Sequence, residues 1–155
     1  MSQGPAGPLP TLRVFLSEIP RLPAGSKIRF LGCVSSYNLS TGHLTLEHSY
    51  PLASRPVPSI SVDVNLLLGS LKSTDLQVGA WLNVLGYVRE QFRSGMLVST
   101  HTSSSGFSSS STCGVARPLY IEAVMIFSAD SVHIGEYERV LQDWEDADRR
   151  VKRPD

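Results

Sequence analysis

The sequence predicts an all-β chain: a five-stranded Greek-key barrel with a short helix between strands three and four, closed by a C-terminal α-helix. Leu76–Val88 reads as a turn at Gly79 feeding an alternating apolar strand that carries Gly86 inside it. Ala24–Tyr37 repeats the pattern, with Gly25 in the turn and Gly32 within the strand. Glycine weakens a strand interior unless a bulge, a sharp bend or close backbone approach needs the missing side chain. Two such strands suit the first and fourth strands of a small, strongly coiled barrel of the OB type. A helical apolar stripe then follows the last strand.

Taken in order, residues 1–10 are rich in Pro and Gly and predict a disordered tail ahead of a barrel over 11–130. Leu12–Leu22 predicts an extended or helical cover that brings Val14, Phe15, Leu16 and Ile19 to the barrel. The first strand is Lys27–Tyr37, with Ile28, Phe30 and Val34 inward and Lys27, Arg29 and Leu31 outward. Asn38–Gly42 is a turn. The second strand, His43–Ser49, turns Leu44 and Leu46 in and His43, Thr45 and Glu47 out. Tyr50–Pro58 carries three prolines and predicts a loop. The third strand is Ser59–Val64, and Asn65–Lys72 predicts a short helix that plugs the barrel through its leucines.

The fourth strand is Trp81–Phe92. Ser99–Thr112 holds eight serines, three threonines and one glycine, which predicts a flexible loop. The fifth strand, Leu119–Ser128, places Ile121, Ala123, Met125 and Phe127 on one face and Val124 and Ile126 on the other, so both faces are expected to be covered. A helix is expected over 131–150, with 151–155 as a tail. Ile134, Tyr137, Leu141 and Trp144 recur at helical spacing and Val140 widens the stripe.

At 155 residues, 41% hydrophobic and 18% charged, the chain suits one globular domain with appendages. Its 14 basic and 14 acidic side chains balance, which excludes a polybasic binder and predicts weak nucleic-acid affinity for the chain alone. No apolar run reaches a membrane span, and the Pro/Gly-rich start is unlike a signal peptide. Cys33 and Cys113 make no disulfide framework, so an intracellular chain is expected. Catalysis is not expected, because none of His43, His48, His101 and His133 is framed with a nucleophile. Neither a metal nor a cofactor is expected: His43 and His48 differ by an odd number of strand positions and point to opposite faces.

Single-strand binding by a barrel of this kind needs cations for phosphates and aromatic rings for bases. Lys27, Arg29, Tyr37, His43, Tyr87 and Arg89 face outward and supply both, with Arg55 and Arg93 on loops at the groove ends. The same residues equally serve to solvate a barrel exterior. For the terminal helix, Ile134, Tyr137, Val140, Leu141 and Trp144 either pack on the chain's own barrel or anchor a partner. Tyr and Trp are enriched at binding hot spots, which favours the partner.

Several segments, in this order, resemble the Ten subunit of the CST telomere-capping complex in its filamentous-fungal form. They are Gly7–Pro10 with Arg13–Glu18, Lys27–Val34, Thr45–His48, Val78–Val88, Ala123–Ala129 and Tyr137–Glu138. The resemblance implies a single OB barrel that pairs with the Stn subunit through barrel contacts and the terminal helix, at Tyr137, Leu141 and Trp144. It further implies a nuclear, non-enzymatic protein at chromosome ends whose complex binds single-stranded telomeric DNA. The serine-rich Ser99–Thr112 departs from the family pattern. Two other readings stand beside this one: an independent single-strand binder, and a structural stabiliser of a partner without DNA contact.

Overall fold

The computed structural model describes residues 7–91 and 118–153. Residues 1–6 of the tail predicted at 1–10, Arg93 and the serine-rich segment at 99–112 lie outside the described residues. Among the described residues six strands and one α-helix follow in chain order: β1 Leu12–Arg13, β2 Lys27–Asn38, β3 His43–Glu47, β4 Ser59–Asp63, β5 Trp81–Glu90, β6 Leu119–Ser128 and α1 Ile134–Val151. The sheet runs β1-β2-β3-β4-β6-β5, and a β2–β5 pairing closes β2 to β6 into a barrel. Closure works because β2 is long and bent. Its first half, Lys27–Cys33, pairs with β5, and its second half, Cys33–Asn38, pairs with β3. β1 adds to β2 in parallel outside the barrel.

The interior glycines sit where the barrel demands them. A Cβ at Gly86 would lie 2.5 Å from the Glu122 carbonyl oxygen and 2.7 Å from Ile121 Cγ2. There the β5–β6 register jumps, Leu85 opposing Met125 and Gly86 opposing Ala123, so Val124 is the extra residue of a bulge. A Cβ at Gly32 would lie 2.8 Å from Leu46 Cβ. Ile28, Phe30, Val34, Leu44, Leu46, Val62, Val84 and Ile121 fill the barrel, as the alternation of each strand predicts. Val14, Phe15, Leu16 and Ile19 are buried too, on a short 3-10 turn at Leu16–Arg21 and the residues before it.

Several expectations are corrected. Asn65–Lys72 is not a helix; 3-10 turns form at Asn65–Leu67 and Ser73–Leu76. The Asp63 side chain accepts the Asn65 N–H at 2.9 Å and caps the first of these turns. Leu67, Leu71 and Leu76 still pack on the core, so the plug is kept. β3 stops at Glu47 rather than Ser49, β5 ends at Glu90, with Phe92 outside the described residues, and α1 runs on through Val151.

β6 is not covered on both faces. The bulge at Val124 reverses the alternation, turning Ile126 to the core and Met125 and Phe127 outward, 45% and 48% exposed. Leu31 points outward as expected, yet it is buried.

Candidate docking face and groove

Leu31 is buried because α1 lies over it. Leu141 is 2% exposed on the inward face of α1, and Tyr137 hydrogen-bonds the Leu31 backbone. A second aromatic layer fills the space between helix and barrel. Phe15 stacks on Tyr50 at 4.3 Å and meets Tyr137 edge-on at 6.5 Å. His48 is buried against Trp81, edge to face at 5.3 Å. Two polar clasps then fix the helix: His48 Nε2 lies 2.8 Å from Glu138 Oε1, and the Tyr50 hydroxyl donates to Gln142 Oε1 at 3.2 Å. Burial pushes the Tyr137 phenol up, against the opposing pull of Arg13 and Arg29.

The helical stripe read from the sequence therefore divides. Ile134, Tyr137 and Leu141 turn toward the chain's own barrel, while Trp144 is 71% and Val140 60% exposed. Angle round the axis does not make the split: at about 100° per residue Trp144 lies only about 20° from Tyr137, but it stands two turns further along the helix. Val140, Trp144, Ala147 and Val151 continue at spacings of four, three and four as a second, outward stripe. Between it and β1 runs a groove of about 1060 Å³, walled by Leu12, Arg13, Tyr137, Val140 and Trp144. The sequence reading missed the clasps. His48 had one signal, its even position in phase with the buried Leu44 and Leu46.

The expected nucleic-acid residues are only partly brought together. Strand register places His43, Asp63, Glu122, Tyr87 and Lys27 in one row around the barrel, about 19 Å across five strands. Two carboxylates interrupt that row. Arg89 pairs with Glu122 at 3.3 Å and lies over the Tyr87 ring at 5.3 Å. Arg29 donates to Asn83 at 2.9 Å. His43 bonds Ser61 at 3.1 Å and stacks on Tyr120. Tyr37 packs on the core, and Arg55 stands apart, exposed on the Tyr50–Pro58 loop.

Among the described residues, no group of three His, Cys, Asp or Glu side chains could hold a metal ion. Burial and the nearby Glu47 carboxylate push the Cys33 thiol up, which disfavours the thiolate. Among the described residues, no helix is long and apolar enough to cross a membrane.

The family model for Ten1, described as "Telomere capping, CST complex subunit", matches residues 1–142. The chain belongs to the Ten1 family. Similar solved structures include a chain of the S. pombe Stn1–Ten1 complex, 22% identical with TM-score 0.61, covering 92% of this chain and 98% of that one. Ten1 from Saccharomyces pombe is 21% identical with TM-score 0.59, covering 88% and 99%. No curated protein matches the chain significantly. The likeness to the Ten1 structures confirms the OB fold, here a closed five-stranded barrel with one extra strand and a C-terminal helix. The barrel leaves the stripe and groove of α1 uncovered, together with Val124, Met125 and Phe127 on the outer face of β6.

Proposed function

We propose that this chain is the small, non-catalytic OB subunit of a nuclear telomere-capping complex and pairs with an Stn1-type barrel through the outer stripe of α1. The observation that carries the reading is Trp144: a large indole held out at 71% exposure beside an apolar groove, on a helix firmly clasped from beneath. A pre-positioned aromatic offers large contact area at small rotamer cost, as interface anchors do. Family membership and the likeness to a chain of the Stn1–Ten1 complex supply the partner's class. Mixed with the N-terminal barrel of an Stn1 subunit, the chain is expected to co-elute as a 1:1 complex that survives molar salt. Separate elution at high protein concentration overturns the pairing.

Single-stranded DNA contact is the second part of the proposal, carried by Lys27, Arg29, Tyr37, His43, Arg55, Tyr87, Arg89 and Arg93. Arg29 and Arg89 already have protein partners, and Asp63 and Glu122 sit in the same row as Lys27. The subunit's share of affinity is accordingly small. A salt titration of the isolated chain on single strands is expected to show weak binding with a log–log slope no steeper than about −2, at roughly −0.7 per phosphate. A slope of several times that value identifies an independent single-strand binder instead.

A further inference from the structure

We propose that Glu18 and Glu145 form a proton-dependent latch that holds the Trp144-bearing half of α1 against the Leu16–Arg21 turn, and so regulates the docking face. The regulatory part rests on the docking reading above; the latch itself does not.

Geometry makes the first argument. A smaller cleft of about 520 Å³ lies on the far side of α1, between the 3-10 turn and the proline loop. Glu18 and Glu145 are the residues that line both this cleft and the groove beside Trp144, so the pair stands as the ridge between them. The two carboxylates share that ridge, and a hydrogen bond between them would require a proton that two ionised carboxylates lack. Glu145 Oε1 is buried without an ordinary donor among the described residues. Glu18 is fixed by the Phe15 N–H, which it accepts at 3.2 Å. A proton held between the two groups satisfies this arrangement, and its loss sets two like charges against each other.

The surrounding charges do not replace that proton. On α1 itself Asp146 and Arg149 are neighbours, but they pair with each other at 3.0 Å. Lys152 is bound to Asp148 at 2.6 Å. Arg13 lies across one groove, and Arg21 and Arg55 line the other. Desolvation first, then the Glu18 carboxyl, pushes Glu145 from its ordinary 4.5 up to about 8. The nearer half of α1 is held independently by the His48–Glu138 and Tyr50–Gln142 clasps, so opening the latch frees the later turns only.

The direction follows from linkage. A carboxyl that titrates higher in the folded chain than in the unfolded one stabilises the fold at low pH. That contribution is lost progressively from about pH 4.5 to about pH 8 and changes no further above it. Glu145→Gln keeps the shape and cannot ionise. Denaturant unfolding of the full chain, compared between wild type and Glu145→Gln from pH 5 to 9, is the test.

The folded-to-unfolded ratio of wild type is expected to fall relative to the variant by roughly tenfold or more between pH 5 and 8, then to level off. That figure is far below the full displacement, because water still reaches the group. Glu18→Gln is expected to reduce the same pH dependence. A wild-type-to-variant ratio constant across this range, for both variants, overturns the latch.

In parallel titrations with the Stn1-type barrel, wild-type affinity is expected to drop between pH 6.5 and 9 while that of Glu145→Gln stays level. Loss of pH dependence in binding but not in unfolding overturns only the regulation. No binding by either protein overturns the docking reading and leaves the unfolding result to stand.

Discussion

Replacing Leu141 with alanine is expected to lower the unfolding free energy of the isolated chain by about 2–5 kcal/mol, the range for a fully buried leucine. Leu141 is 2% exposed, on the face of α1 that covers Leu31. Truncation removes the transfer energy of the leucine atoms and leaves a void between helix and barrel. The Tyr137 contact on one side and the His48–Glu138 clasp on the other limit how far the helix can settle into that void. Equilibrium denaturation reads the loss as a shift in midpoint. A loss below about 1 kcal/mol would mean that α1 is only loosely attached, and the Trp144 stripe would then have no fixed platform.

Much of the fold is legible in the sequence because the barrel obeys local rules. Lys27–Asn38 and Trp81–Glu90 alternate cleanly, and Gly32 and Gly86 stand where backbone or side-chain atoms come within 3 Å of an added Cβ. What escapes the sequence is non-local. The bulge at Val124 is invisible to an alternation count, since one extra residue reverses the inward face without altering composition. Asn65–Lys72 carries leucines at helical spacing, yet the chain there forms only a 3-10 turn at Asn65–Leu67, with a second at Ser73–Leu76.

The candidate site divides in the same way. That α1 is amphipathic is written in its residues, and the family resemblance in the strands is confirmed by the match over residues 1–142. Which part of the stripe turns inward depends on where the helix lands. That is decided by His48, Tyr50 and Phe15, 90 or more positions away from their α1 partners. The carboxyl pair Glu18–Glu145 joins residues with no sequence relation, and only the packing of α1 on the 3-10 turn brings them together.

The two faces of α1 make opposite demands on a mutation, which is the core of the account. Trp144 is exposed in the isolated chain, so Trp144→Ala is expected to change unfolding by no more than about 0.5 kcal/mol, as surface substitutions do. Against an Stn1-type barrel it removes the largest apolar side chain of the docking stripe. A loss of about 2 kcal/mol or more in partner affinity is expected, the hot-spot range.

The deciding measurement is calorimetric titration of the partner barrel into Trp144→Ala, with the unfolding of the same protein determined alongside. The account predicts binding weakened about thirtyfold, the equivalent of 2 kcal/mol, in a chain as stable as wild type. Wild-type affinity in a chain that remains folded would contradict it.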